Sequence, residues 1–231
     1  MSRFQTTRWS LIAAAAHEAP AYARPALEKL CRAYRPPVLA YIRRSGQPRH
    51  DAEDLAQAFF MRFLERGWYA EADPLRGRFR TLLLTALRNF LTDAHAHQAA
   101  LKRGGGVSFS NDVSQLADSD GSPEQAFDRA WLGTVLARAM KNLEFEWISA
   151  GKGESFSRLL PLLVETPDGD ALTGLAAELG QRRNTLSVQL HRMRMRLRQL
   201  VRLELLQTVS SREGLELELE ELRAVLPGPL T

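Results

Sequence analysis

Arginine is concentrated in one stretch of this chain, at a spacing that suits binding to nucleic-acid phosphates. Between Glu178 and Glu204 there are seven arginines and no acidic residue. These arginines are Arg182, Arg183, Arg192, Arg194, Arg196, Arg198 and Arg202. The apolar residues of the stretch recur at steps of three and four, on one helical face: Leu186, Leu190, Met193 and Leu197. A helix that is buried on one face and cationic on the other can dock in the major groove of DNA, where short side chains read base edges.

A second apolar segment precedes this helix and indicates a helix-turn-helix. Leu172, Leu175, Ala176 and Leu179 recur at helical spacing, and Gly180 supplies the left-handed residue that commonly ends a helix. Two short helices separated by a tight turn are typical of this DNA-binding motif. A basic amphipathic helix is also compatible with a solvated surface helix or with a helix that binds a partner protein, so these two alternatives remain open.

The other polar groups do not form a catalytic or metal-binding pattern. His95 and His97 follow Asp93, but a spacing of two places the histidines on different helical faces, and no further Cys or His cluster supports them. The carboxylates at residues 51–54 have no nearby histidine or phosphate-binding loop, so they indicate a solvated acidic face. The glycines at 104–106 lack the lysine of a P-loop. The sequence therefore predicts no enzyme activity, no cofactor and no metal.

Composition and cysteine content indicate a globular protein of a reducing compartment. A hydrophobic content of 45% and a formal net charge of +4 are ordinary for a soluble domain. The single cysteine, Cys31, excludes an intrachain disulfide and a zinc site built on several cysteines. The apolar run at residues 11–16 is too short to span a membrane and is weak as a signal peptide. These features predict a cytoplasmic protein.

The periodic segments are nearly all helical, which predicts an all-α fold. Helical spacing extends over residues 22–41, 52–66 and 79–97, and Pro36 with Pro37 is expected to kink or break the first of these helices. A segment rich in glycine, serine and aspartate follows and predicts a flexible linker, since it has little apolar surface to bury. The predicted organisation is a first helical domain (1–103), the linker (104–122), a second helical domain containing the helix-turn-helix (123–200) and an acidic C-terminal helical extension (201–231).

Three segments, in this order, resemble the extracytoplasmic-function (ECF) sigma factors of bacterial RNA polymerase. DAEDLAQAFFMRFLE (Asp51–Glu65) resembles the family segment that contacts the polymerase clamp, and FRTLLLTALRNFLTD (Phe79–Asp93) resembles the segment that engages the minus-ten element. LAAELGQRRNTLSVQLHRMRMRLR (Leu175–Arg198) resembles the helix-turn-helix that engages the minus-thirty-five element. The extended C-terminus resembles a branch of the family whose members are often linked to serine/threonine kinases.

The resemblance implies an alternative sigma factor that binds core RNA polymerase and directs promoter-specific initiation. The residues implied for clamp binding are Asp51, Asp54, Gln57, Ala58 and Glu65. Those implied for the minus-ten element are Arg80, Arg88, Asn89, Lys102 and Arg103. Those implied for the minus-thirty-five element are Arg183, Asn184, Ser187, Val188, His191 and Arg192. The implied partners are core RNA polymerase, promoter DNA and a serine/threonine kinase or other regulator, without a membrane. A stand-alone helix-turn-helix regulator and an interaction partner in sigma regulation remain as alternative functions.

Ala58 departs from the family pattern, in which this position is normally acidic. A neutral residue inside an otherwise acidic surface would weaken electrostatic steering towards the basic clamp. We hypothesise that polymerase binding here depends on a second input, such as phosphorylation that supplies negative charge or a partner that docks on the C-terminal extension. The alternative is that alanine is only a good helix former at a tolerant position.

Overall fold

The computed structural model describes residues 20–70, 79–104, 121–164, 169–209 and 211–225. Within these ranges every regular element is helical and there is no strand, so the predicted all-α fold is confirmed. The helices are α1 (Pro20–Arg44), α2 (Arg49–Glu65), a 3-10 turn (Trp68–Ala70), α3 (Phe79–Gly104), α4 (Pro123–Ser149), α5 (Gly153–Val164), α6 (Gly169–Glu178), α7 (Arg183–Leu206) and α8 (Arg212–Val225). In these same ranges no helix is long and apolar enough to cross a membrane.

The chain divides into two compact units whose boundaries fall inside α4 and α7. The first unit consists of Met1–Thr134 and Leu205–Thr231, and the second consists of Val135–Glu204. The sequence predicted a different division, with all of residues 123–200 in one domain and the C-terminal extension separate from both domains. The structure instead assigns the start of α4 and the helix α8 to the first unit.

Aromatic packing explains why the start of α4 belongs to the first unit. The ring of Tyr34 in α1 stacks on Trp131 in α4, with centroids 4.1 Å apart. The same ring lies 5.1 Å from Phe79 and 6.2 Å from Phe127, and all four side chains are buried. Such ring pairs stabilise a fold by about 0.5–1.5 kcal/mol beyond the area they bury. These contacts join residues far apart in the sequence, which helical periodicity does not reveal.

Helix α1 continues through Pro36 and Pro37, so of the two predicted outcomes, a kink or a break, the break does not occur. Each of these prolines removes a helical hydrogen bond, which disfavours the helix. The positions around them are nevertheless buried, with Tyr34, Val38 and Ile42 fully enclosed. The burial of this face offsets the lost backbone bonds.

The helices on either side of the predicted linker (104–122) end and begin close to its predicted bounds, at Gly104 and Pro123. Helix α3 extends to Gly104, so Lys102 and Arg103 are helical. At the other end Ser122 caps α4: its hydroxyl oxygen accepts a hydrogen bond from the Gln125 N–H at 3.2 Å, and its own N–H donates to the Gln125 side chain at 3.1 Å. This reciprocal arrangement is a capping box. Residues 105–120 of the predicted linker lie outside the described residues.

The second unit is organised around α7, whose apolar face packs as the sequence predicted. Leu186, Leu190 and Met193 are at most 3% exposed and lie in one core with buried residues of α4, α5 and α6. Gly180 ends α6 in a left-handed conformation, at φ +60°, and the Gln181 N–H donates to the Ala176 carbonyl at 2.9 Å. This bond is the signature of a glycine-terminated helix. The predicted helix, turn and helix are therefore confirmed as local structure.

Candidate functional site

The exposed face of α2 combines carboxylates with apolar side chains. The helix buries Ala52, Ala56, Phe59 and Phe63 against the first unit, because these residues recur at helical spacing. The residues predicted for clamp binding lie on the other side: Asp54, Gln57, Ala58 and Glu65 are exposed, and the side chain of Asp51 is half-exposed. Met61 and Leu64 are exposed among them. An apolar centre with a charged rim is the usual composition of a protein-binding surface.

Glu53 belongs to the same acidic segment but is engaged within the first unit. Its two carboxylate oxygens accept hydrogen bonds from Arg35 at 2.5 Å and from Arg43 at 2.9 Å. Glu53 thus joins α2 to α1. Since its charge is largely balanced by two guanidinium groups, the acidic surface that α2 presents outward consists of Asp51, Asp54 and Glu65.

Arg80 was predicted to contact DNA, but the structure places its side chain inside the first unit, 7% exposed. Its guanidinium nitrogens contact three carboxylates, those of Asp128, Glu218 and Glu221. The Nε atom lies 2.8 Å from Glu218. Arg80 in this conformation therefore presents very little surface to a phosphate. The sequence pattern missed this cluster because two of the three acids lie in the C-terminal extension.

Arg88 and Asn89 lie on the exposed face of α3, as predicted. The Arg88 side chain is half-exposed, and its Nη2 donates to Glu124 of α4 at 2.8 Å. Burial opposes ionisation of Glu124, but its backbone hydrogen bond and the hydrogen bond from Arg88 keep its pKa below the ordinary value. Lys102 lies on the last turn of the same helix, next to Arg103, and the side chains of both lie outside the described part of the chain.

Helix α7 presents all six residues predicted to read DNA on its exposed surface. These residues are Arg183, Asn184, Ser187, Val188, His191 and Arg192. Their side is set by the buried leucines on the opposite face, so it follows directly from the helical period. Val188 is an exposed aliphatic side chain at the centre of this set, with 42% of its surface accessible. The arrangement offers cations, hydrogen-bonding groups and one aliphatic contact along a single helix.

Two arginines of the same helix have a structural role within the second unit. Arg194 donates to the carbonyl oxygen of Leu162 in α5 at 2.7 Å. Arg196 forms a two-pronged ion pair with Glu146 of α4, at 2.6 and 2.8 Å. The hydrogen bonds from Arg196 lower the pKa of Glu146 below its ordinary value of 4.5. The cationic stretch therefore divides into residues that face outward and residues that hold α7 to its neighbours.

The described residues contain no group of three or more His, Cys, Asp or Glu side chains arranged to hold a metal ion. His95 lies 3.0 Å from the Gln47 amide nitrogen, and the Asp93 carboxylate lies 3.9 Å from Arg62. The second histidine of the sequence pattern, His97, has a side chain outside the described part. The candidate residues of the described part therefore lie on exposed helix surfaces and not in a metal centre.

Residues 30–100 match the protein family described as Sigma-70 region 2. The match begins in α1, covers α2 and ends in the last turns of α3, so it includes the acidic face of α2 and the exposed face of α3. It stops before α4 and carries no information about α7. No curated protein and no solved structure matches the chain.

This match supports a sigma factor role for the chain, in RNA polymerase binding and promoter melting. Core RNA polymerase and promoter DNA are the partners that the match implies. Proteins of the Sigma-70 family are non-enzymatic transcription initiation factors. The surfaces of α2 and α3 are therefore those on which binding partners are to be sought.

Proposed function

We propose that the chain is an alternative sigma factor of the ECF type, which binds core RNA polymerase in the bacterial cytoplasm and directs initiation at a specific set of promoters. The observation that carries this proposal is the Sigma-70 region 2 match over residues 30–100, which include the exposed faces of α2 and α3. In this proposal α2 contacts the polymerase clamp, α3 holds the melted minus-ten element, and α7 reads the minus-thirty-five element.

The α2 surface is suited to a basic protein partner. Its carboxylates supply long-range attraction and faster association, whereas Met61 and Leu64 supply apolar area that becomes buried on contact. Ala58 is exposed on the same face of α2, so a negative charge added there would become part of this acidic surface. A serine/threonine kinase or another regulator that supplies the missing negative charge stays a prediction of the sequence resemblance.

The α3 and α7 surfaces are suited to different forms of DNA. Exposed Arg88 and Asn89 offer a charged and a hydrogen-bonding contact to unpaired nucleotides. The α7 surface has the composition of a major-groove helix, with Arg183 and Arg192 near phosphates and the shorter side chains near base edges. Melted and duplex DNA would then be bound by separate helices.

The deciding experiment is run-off transcription with purified core RNA polymerase on the promoter of the chain's own operon. Specific initiation that requires the chain would establish the sigma role. Absence of both initiation and polymerase binding would contradict it. Duplex binding without any polymerase dependence would instead support a stand-alone helix-turn-helix regulator, the second candidate, which the six exposed residues of α7 favour.

Variants of α2 test the proposed clamp surface directly. We expect Asp54→Asn to weaken core polymerase binding about two- to fivefold, the range for an exposed charge pair. The matched control is Glu144→Gln, which removes an exposed carboxylate from α4 outside that surface. Ala58→Glu is expected to strengthen binding by a similar factor. Unchanged affinity in Ala58→Glu would show that the neutral position is merely tolerated.

A further inference from the structure

The C-terminal extension is fastened to the start of α3, the helix that carries Arg80. The backbone N–H of Phe79 donates to the Thr208 carbonyl at 3.2 Å. This bond satisfies one of the donors that the first turn of a helix leaves unpaired. Thr208, Val209 and Leu215 are buried. The segment before α8 thus anchors that helix beside Arg80.

Helix α8 then supplies two of the three carboxylates around Arg80. Glu218 is fully buried and also accepts a hydrogen bond from the Trp131 indole N–H at 3.2 Å. Glu221 lies at the edge of the cluster, with 47% of its side chain exposed. Burial opposes ionisation of Arg80, but the charges of Glu218, Asp128 and Glu221 raise its pKa above the ordinary value. The guanidinium therefore stays charged and is matched by oxygen anions.

A guanidinium recognises carboxylates and phosphates with the same planar fork of N–H donors. Helix α8 resembles a polyanion in this respect, because acids are its main charged residues: Glu213, Glu216, Glu218, Glu220 and Glu221. The carboxylates on Arg80 outnumber its one positive charge, so they also repel other anions from this surface. Glu218 is buried and Glu221 is partly exposed. A nucleic-acid phosphate could therefore reach Arg80 only by displacing the Glu221 side chain.

We propose that helix α8 acts as an intramolecular competitor of nucleic acid for the Arg80 end of α3. The proposal rests on the proposed function, in which α3 binds melted DNA, and it names the regulation of that surface. Removing the acids alone would leave a buried cation without a partner, which is strongly unfavourable. Exchange of the Glu221 carboxylate for a phosphate avoids that state, so the ligand itself promotes displacement of Glu221.

The test measures single-stranded DNA binding by the full chain and by two charge-matched variants. Glu221→Gln weakens the peripheral contact to Arg80 while the buried Glu218 keeps the helix in place. Glu220→Gln removes the same charge from an exposed position of α8. The probe is a fluorescein-labelled single-stranded DNA of mixed sequence, followed by fluorescence anisotropy at low salt. We expect Glu221→Gln to bind about two- to fivefold tighter than Glu220→Gln, as for loss of a partly exposed ion pair.

A second measurement follows the tail itself. Hydrogen exchange of the backbone amides in residues 212–225 is compared with and without the DNA probe, and thermal unfolding verifies that each variant is folded. We expect the probe to accelerate exchange in α8 of the wild-type chain, because displacement of Glu221 removes one of the contacts that hold this helix to α3 and lowers the free energy of its local opening. Glu218→Gln should show faster exchange before any DNA is added.

The outcomes separate this inference from the proposed function. Equal affinities in the two variants, with unchanged exchange in α8 on DNA binding, would overturn competition and leave the sigma role intact. Absence of DNA binding by every variant would overturn competition as well, and the transcription assay with core polymerase would then decide the sigma role independently. Tighter binding by Glu221→Gln together with faster exchange would support competition.

Discussion

The exposed valine of the α7 surface leads to a sharp prediction about base recognition. Val188 is 42% exposed and lies among Asn184, His191 and Arg192 on the outward face. The only apolar group on a base edge in the major groove is the thymine methyl. If α7 reads duplex DNA, Val188 therefore favours a thymine at the base pair it faces.

The size of this preference follows from the area of one methyl group. Burying one such group is worth about 0.8 kcal/mol, which corresponds to about a fourfold change in Kd. Replacing that thymine by uracil removes the methyl and leaves the hydrogen-bonding edge unchanged. The wild-type chain should then lose about fourfold in affinity at one position, and Val188→Ala should lose almost nothing there.

The assay starts from a duplex selected from a random library by the chain with core polymerase. Each thymine is replaced in turn by uracil, and Kd is measured for the wild type, Val188→Ala and Leu203→Ala. Leu203 is a suitable control because it is 41% exposed on the same helix, about four turns away. If Val188→Ala and the wild type respond identically to every uracil, the assignment of Val188 to base reading is refuted.

Three further predictions concern stability and reactivity. Arg196 lowers the pKa of Glu146 below 4.5, so the stabilisation from this pair is fully present above that value and is lost as the pH falls through the folded-state pKa. Between about pH 6 and pH 3, Glu146→Gln should therefore lose less unfolding free energy than the wild type. Parallel plots of unfolding free energy against pH for the two proteins would contradict this. Gly180→Ala should destabilise the fold by about 1–2 kcal/mol; an added Cβ meets no atom within 4 Å, so the cost comes from the left-handed backbone alone. Gly174→Ala inside α6 should instead stabilise the fold by about 0.5–1 kcal/mol. Chemical denaturation measures the sign of the change in unfolding free energy for each variant. Burial raises the pKa of Cys31 to about 12, so iodoacetamide at about pH 8 should label it far faster in denaturant than in the native chain, and equal labelling rates would show that the thiol is accessible.

Local periodicity was sufficient to predict the α7 surface. The buried set Leu186, Leu190 and Met193 recurs at helical spacing, so the outward side of the helix is determined as soon as the inward side is known. Gly180 likewise marked the end of the preceding helix, because the left-handed conformation at that position depends on the residue itself. The residues of α2 that the family resemblance implied lie opposite its buried set in the same way.

The pairing of charges was decided by tertiary structure. Arg196 and Glu146 lie 50 residues apart, and Arg80 and Glu221 lie 141 residues apart. A charged residue on a helix has the same sequence signature whether it faces solvent, DNA or a carboxylate that returns from a distant segment. The continuation of α1 through Pro36 has a similar origin, since packing from other helices offsets a local penalty.

The sequence by itself thus determined the all-helical fold, the end of α6 at Gly180 and the buried face of α7. The tertiary structure decided which charges on the helix surfaces are engaged internally, and it enclosed Arg80 between the start of α4 and the acidic helix α8. The physical reason is the distance along the chain over which each effect acts. Periodicity, capping and turn preferences act between neighbours in the chain, whereas an ion pair depends on where the whole chain brings its two partners.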